Sequence, residues 1–438
     1  MNSTVKKLNL WSAICVVIGC VIGSGVFVKP GRVLMAAGDS NSALMAWVIG
    51  GLITLAGGLT MAEISSRYPK TGGVYVYVEE LFGPSWAFVS GWVQSIIYGP
   101  ALSAALSLYF ASLLTQFLEI SDSYVKGIGL LALFTLSFIS AVSTGYSSFI
   151  QNATVFIKLI PIIVLGVCGL LMGEAQIFNV TLSNPSQTTS MGVAVLATLW
   201  AYDGWVQVSN MGDEIENPSR NLPKAFLIGI AVVMSVYILV NLSLFHVVPV
   251  DQIAVLNEKT AAVAAETLFG TIGGKLLGLG ILIAIFGCLN GNIMTMPRIA
   301  YAMALRGAFP YPQVISVLHP KNQTPVNSIM LKTFLSAIMV IFLNPDRITD
   351  IAMFVMYSCY AAVFMGIFIL RKKLGVPAKG SYRVPLYPII PLVATGGIIY
   401  ICYSMVTQAP WDALIAFAVS ISGLPIYYWI NKIKKPLI

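Results

Sequence analysis

Two short stretches combine residues that a continuous membrane helix has no use for: Ile22-Gly23-Ser24-Gly25-Val26-Phe27 and Trp200-Ala201-Tyr202-Asp203-Gly204-Trp205. Glycine readily adopts nonhelical dihedrals, so Gly23 and Gly25 around Ser24 would open a helix and expose backbone amides. Amides at a helix start attract anions, and left unpaired in hydrocarbon they are costly; a ligand carboxylate answers both conditions. The competing structural reading is close helix packing through Gly19 and Gly23. In the second stretch Asp203 follows about a dozen largely apolar residues, where an ionised carboxylate is expensive. Gly204 breaks the helix beside it, and the unwound Ala201-Tyr202-Asp203-Gly204 backbone would offer carbonyls to an ammonium group. One break would then hold the carboxylate of an amino acid and the other its amine. Asp203 is expected to stabilise its break; a capping role or pairing with another protein group is the alternative.

Lys158 is the lone basic residue in the middle of the fifth apolar run, about 12 Å of helix from the run's start near residue 150. Its side chain can snorkel part of that distance. The sharper expectation is that its ammonium faces the opened first helix, tethers the helix carbonyls and takes the electrostatic place of a bound sodium ion. Trp200 and Tyr202 supply rings that can close over an apolar ligand side chain, with Trp200 the gate candidate; ordinary packing is the structural alternative, and for Trp205 an interfacial anchor. Glu63, near the inner end of the second run, is expected to pair or cap near Arg67. His246 and His319 are too isolated for a metal site. No ordered nucleophile, base and acid set, phosphate loop or metal cluster is present, so neither an enzyme nor a cofactor is expected.

These residues need a membrane scaffold. Of 438 residues, 57% are hydrophobic and 10% charged, with a mean hydropathy of +0.85. That composition excludes a soluble multidomain chain and indicates one all-α domain, 1–438, in lipid. Runs long enough to span lie near 11–37, 43–66, 85–118, 127–145, 150–172, 190–211, 224–246, 271–304, 326–343, 349–370, 386–407 and 413–431. The first run follows Lys6 and Lys7 yet continues past Val33 and Leu34 without a cleavage signature, so a retained span is expected. The net charge of +8 reads as topology: with both termini in the cytoplasm, residues such as Arg67, Arg220, Arg306, Arg371-Lys372-Lys373, Lys379, Lys434 and Lys435 fall at the inner face. Lys29, Arg32, Lys126, Lys259, Lys275 and Arg347 remain outside. A lipid-binding role for Arg371 to Lys373 is the alternative to a topology signal. All six cysteines fall in apolar runs, and no disulfide framework is expected.

The connections are short. Tyr75 to Leu81 is expected to form an interfacial helix, residues 173–189 a polar external loop, and 247–270, with Asp251, Glu258 and Glu266, short outer helices. The first and sixth runs each begin a block of five, and they start from opposite faces. An inverted repeat would follow, 10–172 against 190–370, with 386–431 as two added helices; paired breaks in such a repeat point to a midplane binding site.

The chain resembles the amino acid/polyamine/organocation (APC) transporter superfamily, particularly its bacterial L-type amino acid transporter (LAT) branch, whose members include serine/threonine and alanine/serine/cysteine exchangers. The resemblance runs from Gly19-Cys20-Val21-Ile22-Gly23-Ser24-Gly25-Val26-Phe27 through Trp200-Ala201-Tyr202-Asp203-Gly204-Trp205 and Glu214-Ile215-Glu216-Asn217-Pro218-Ser219-Arg220-Asn221-Leu222-Pro223. It continues in Gly287-Cys288-Leu289-Asn290-Gly291, Pro297-Arg298, Leu318-His319-Pro320 and Thr324-Pro325. It implies a LeuT-like core of two inverted five-helix repeats in twelve spans, and sodium-independent antiport of L-amino acids by alternating access. It implies carboxylate binding at Gly23, Ser24 and Gly25, amine binding around Ala201 and Asp203, a gate at Trp200, Lys158 beside the site, and Cys288 and Asn290 near the pocket. Residues 119–126 lack the cysteine through which animal relatives join a glycoprotein subunit, so a partner-independent monomer in a bacterial plasma membrane is expected. Some animal relatives have glycine where Asp203 stands, so direct ligand contact by its side chain is not implied.

The expected activity is obligatory exchange of small neutral amino acids: alanine, serine, threonine or cysteine. A proton-coupled importer would share most motifs but lacks a midspan histidine or carboxylate relay here. A cationic amino acid or polyamine transporter would need further buried acids. A nontransporting receptor would bind without counterflow. Nucleic acid is not an expected partner.

Overall fold

The computed structural model describes residues 8–183, 189–256, 259–342, 345–378, 381–408 and 410–434. Lys6, Lys7, Glu258, Lys379 and Lys435 lie outside the described residues, as do the side chains of Arg347 and Lys434 and part of the expected external loop. The chain is an all-α, multi-span membrane protein. Among the described residues ten helices are long and apolar enough to cross a membrane, two of them in the C-terminal part, Ile389–Thr407 and Ala413–Lys432. Their outer faces carry large apolar side chains, Leu171 at 79% and Phe149 at 73% exposure, as a lipid-facing surface requires.

Of the twelve expected runs, the sixth and the ninth fall short of a full span, and the first has the length of a span but is interrupted. The first segment is interrupted: α1 (Leu10–Val21) stops, and α2 (Gly25–Val28) and α3 (Pro30–Ala37) carry the chain on. The sixth run, expected over 190–211, is helical only as α10 (Met191–Tyr202), after which Asp203 is extended, Gly204 is left-handed and Trp205–Glu214 winds as a tight 3₁₀ segment. The ninth is a shorter apolar helix, Val326–Phe342, of 17 residues.

Between these lie α4 (Ser40–Arg67), α5 (Val74–Phe82), α6 (Pro84–Val93), α7 (Gly99–Leu118), α8 (Val125–Val142) and α9 (Thr144–Met172). The helix α5 covers the helix expected from Tyr75 to Leu81. A single π turn, Gln94–Tyr98, joins α6 to α7; one extra residue in a turn rotates the side chains that follow, a frequent device at functional sites. After the second break come α11 (Pro218–Val247), the outer α12 (Val250–Leu256), α13 (Thr260–Thr295), α14 (Pro297–Leu305) and the short α15 (Pro312–Ile315). Gly270, with φ 70°, kinks α13 and divides a short first piece from the long apolar one. The bundle finishes with α16 (Val326–Phe342), α17 (Pro345–Leu374), α18 (Ile389–Gln408), α19 (Pro410–Ile421) and α20 (Gly423–Lys434).

The broken elements sit in the middle of this bundle. Helix α1 packs on α9, α11 and α13, while α10 packs on α3 and α4. At one end of the bundle, the Ser183 amide and hydroxyl both donate to Asp251 at 2.8 Å, tying the loop after α9 to α12 and holding that carboxyl below its ordinary range. At the opposite end α1 is clamped: the Leu8 amide donates to the Glu214 carbonyl at 3.1 Å and the Glu216 amide to the Leu8 carbonyl at 2.9 Å.

The charged residues at that end bind each other across helices. Glu63 does not pair with Arg67, one turn along its own helix; both its oxygens accept from Arg371 of α17, at 2.9 and 2.7 Å, and one also accepts from the Val384 amide. Arg67 donates instead to the Gly375 carbonyl at 2.8 Å. The physical reason is burial: Glu63 is fully enclosed, so it takes the partner that also reaches the interior. Arg371 is thus engaged with a buried carboxylate, and the exposed Lys373 donates to the carbonyls of Glu80 and Leu81.

Glu63→Ala would leave the Arg371 guanidinium buried and unpaired, and is expected to destabilise the protein by about 3–5 kcal/mol. Glu80→Ala, which removes only the exposed Lys70 pair, is expected to cost about 1 kcal/mol or less. Thermal unfolding of the purified variants checks this; equal melting temperatures would contradict it.

Candidate functional site

A helix that ends inside the bundle leaves its last carbonyls without intrahelical donors. In α1 each of them is met from another helix. Lys158 of α9, fully buried, donates its ammonium to the Gly19 carbonyl at 3.1 Å and the Ile22 carbonyl at 2.5 Å. The Cys288 thiol of α13 donates to the Cys20 carbonyl at 2.9 Å. The Tyr237 hydroxyl of α11 lies 3.1 Å from the Val21 carbonyl, which also accepts from the Gly23 amide at 2.9 Å. The cation therefore sits at the negative end of the helix dipole, where it is most favourable.

Beyond the break the chain restarts. The Ser24 carbonyl accepts from the amides of Phe27 and Val28, both at 3.0 Å. The amides that lead this new turn, around Ser24 and Gly25, have no carbonyl one turn behind them. Gly25 is where the two interruptions touch: a Cβ there would fall 2.8 Å from Ala201 Cα. Gly204 is the other such point. Its φ of +106° is left-handed, and an added Cβ would fall 2.8 Å from the Cys20 carbonyl oxygen. Gly19, by contrast, serves the packing alternative, since its missing Cβ makes room for the Gln151 side chain of α9.

The second break is held by tyrosines. Asp203, 9% exposed, accepts from Tyr98 at one oxygen and from Tyr360 of α17 at the other, the latter at 3.2 Å. Tyr357 donates to the Leu199 carbonyl at 2.8 Å, and the Tyr237 hydroxyl lies 2.9 Å from the Ala201 carbonyl. Tyr237 thus stands between the two broken helices with one proton for two carbonyls. Tyr202 is buried against Trp47 and Tyr237, its hydroxyl donating to the Trp47 carbonyl at 3.2 Å.

Of the residues singled out in the sequence, Gly23, Ser24, Gly25, Ala201, Asp203, Gly204, Lys158 and Cys288 converge. Trp200 lies at the margin of these residues, half-buried, with the Lys29 ammonium 4.4 Å from its ring centre. Trp205 packs on Phe226 and Tyr360 inside the bundle and is no interfacial anchor. Asn290 points to α9, donating to the Ser147 carbonyl at 3.0 Å and to Gln151 at 2.8 Å, and does not reach the breaks. His246 and His319 bond to nearby backbone, and among the described residues no three His, Cys, Asp or Glu side chains gather as a metal group. The crevice between α9 and α13 faces lipid and is lined by apolar side chains such as Ile160, Val164 and Leu276.

Sequence reasoning missed Tyr98, Tyr237, Tyr357 and Tyr360, and also Arg298, which is buried with both Glu214 oxygens and Thr144. A signal existed: a tyrosine in an apolar run needs an acceptor for its hydroxyl. Which acceptor it finds depends on helix rotation.

The chain's residues 8–430 match the amino acid permease family model. It is 42% identical over 433 residues to the serine/threonine exchanger SteT of Bacillus subtilis, covering 99% of this chain and 98% of that protein. It is 28% identical over 442 residues to the cystine/glutamate transporter of Homo sapiens, covering 98% and 86%. It is also 28% identical over 456 residues to the human b(0,+)-type amino acid transporter 1, covering 100% and 92%.

Two substitutions probe the breaks. Tyr237→Phe keeps the ring and removes the hydroxyl, whose one proton serves the Ala201 and Val21 carbonyls, while Val21 keeps the Gly23 amide; a loss of about 1–3 kcal/mol is expected. Gly204→Ala adds the left-handed cost of about 1–2 kcal/mol and the contact with Cys20 besides. Melting temperatures indistinguishable from the wild type would contradict the geometry.

Proposed function

This chain belongs to the amino acid permease family, within the L-type branch of the APC superfamily, and we propose that it is a sodium-independent exchanger of small neutral L-amino acids, serine and threonine foremost. The observation that carries the proposal is the Lys158 ammonium bonded to the Gly19 and Ile22 carbonyls. A fixed side-chain cation at the broken first helix makes a dissociable one unnecessary.

The substrate carboxylate binds the backbone at Gly23, Ser24 and Gly25, and its amine binds the unwound backbone from Ala201 to Gly204. Asp203, with both oxygens accepting from tyrosine hydroxyls, holds the second break open. Trp200 closes over the substrate from outside, steadied by Lys29. Cys288, beside Gly23, borders the small space left for the side chain.

The finer architecture belongs to the same proposal: twelve spans, an inverted pair of five-helix repeats at 10–172 and 190–370, two further helices within 386–431, and both termini in the cytoplasm of a bacterial cell. Support comes from the breaks in α1 and after α10, which open the two repeats at matching places. Transport is alternating access without covalent chemistry. Release to the cytoplasm requires the Leu8 clamp and the Arg298–Glu214 pair to part from α1, and return with a second amino acid completes the exchange.

Purified protein in liposomes tests this. Uptake of radiolabelled L-serine is expected to require an amino acid inside the vesicles, to be equal in sodium and choline, and to survive a proton uncoupler. Equal uptake into empty and loaded vesicles would overturn exchange, and collapse with the uncoupler would favour proton-coupled import.

A further inference from the structure

The protein holds a second buried lysine away from the breaks. Lys332 lies within α16 and is 3% exposed. Its amine donates to the Ser103 hydroxyl of α7, which in turn donates to the Asn292 carbonyl oxygen of α13 at 2.5 Å. Ser103 is fully buried and Asn292 is 1% exposed. Among the described residues no carboxylate lies within 4.0 Å of Lys332.

The hydrogen-bond count is unbalanced in one direction. An ammonium has three N–H donors, and Ser103 accepts one. The Asn292 side-chain nitrogen is buried and also has no acceptor. The neighbouring hydroxyls do not help, because Ser336 donates to the Lys332 backbone carbonyl at 2.9 Å and Thr333 bonds Ser137 at 2.7 Å. Two side chains from two helices, both in contact with Ser103, therefore carry buried donors without acceptors. An ionisable residue inside a membrane bundle implies a partner, and unmatched buried donors imply an acceptor.

We propose that Lys332, Asn292 and Ser103 form a binding site for a small monovalent inorganic anion, with chloride its physiological occupant. The anion supplies the missing negative charge and accepts from both nitrogens. The enclosure by α7, α13 and α16 limits the ligand to a few atoms and excludes an amino acid. Because Asn292 lies one helical turn from Cys288, occupancy would also steady the α13 wall of the candidate site.

Purified full-length protein is titrated with chloride against a gluconate background, with thermal unfolding and radiolabelled chloride binding as readouts. Wild-type protein is expected to bind chloride saturably, one per chain, with a melting temperature that rises over the same range. Lys332→Met is expected to lose the binding and the thermal response. Should that variant fail to fold, Asn292→Leu is expected to weaken chloride at least five-fold. A bromide-soaked crystal should give its anomalous peak between Lys332 and Asn292. Absence of saturable binding in the wild type, retention of full affinity in either variant, or a bromide peak elsewhere alone would overturn the proposal.

Discussion

A helix that stops inside a bilayer must find donors for its final carbonyls, because lipid offers none. In this protein that constraint falls on α1, and the partners that answer it come from three surrounding helices: Lys158 on α9, Tyr237 on α11 and Cys288 on α13. Those three helices therefore cannot choose their rotation independently. The positions that line the break are set by the same bonds that make the break tolerable.

The second interruption depends on the first. Gly204 can turn left-handed against the Cys20 carbonyl only because α1 ends there, and Tyr237 reaches the Ala201 carbonyl from the position it needs for Val21. Tyr98 and Tyr360 then satisfy Asp203. The interior is thus a network in which a cation, one carboxylate and several phenols stabilise irregular backbone. These bonds end on carbonyls and hydroxyls, whereas the Leu8 end of α1 is held beside a separate ion pair, Arg298 with Glu214.

Much of this could be read from residue types. Gly23, Gly25 and Gly204 announce breaks through their conformational freedom, and Lys158 announces a partner through its depth in an apolar run. Among the described residues ten of the twelve expected spans followed from hydropathy; the sixth run shortens to α10, ending at Tyr202, and the ninth to the 17 residues of α16. Hidden in the sequence was everything that depends on helix rotation about its axis. Glu63 could have met Arg67 on its own helix, and only the packing of α17 on α4 selects Arg371. Asn290 and Cys288 are two residues apart, yet one faces α9 and the other the first break. The π turn before Gly99, which has no composition signature, delivers Tyr98 to Asp203.

The central claim is that Lys158 does the work a bound sodium ion would otherwise do. Equilibrium binding of L-serine to purified wild-type protein and to Lys158→Ala, each in sodium and in choline, tests it most directly. The wild type is expected to bind equally in both salts, and the variant to lose at least ten-fold in affinity while remaining folded. Undiminished binding by the variant in choline, or a wild type that binds serine only in sodium, would contradict the account.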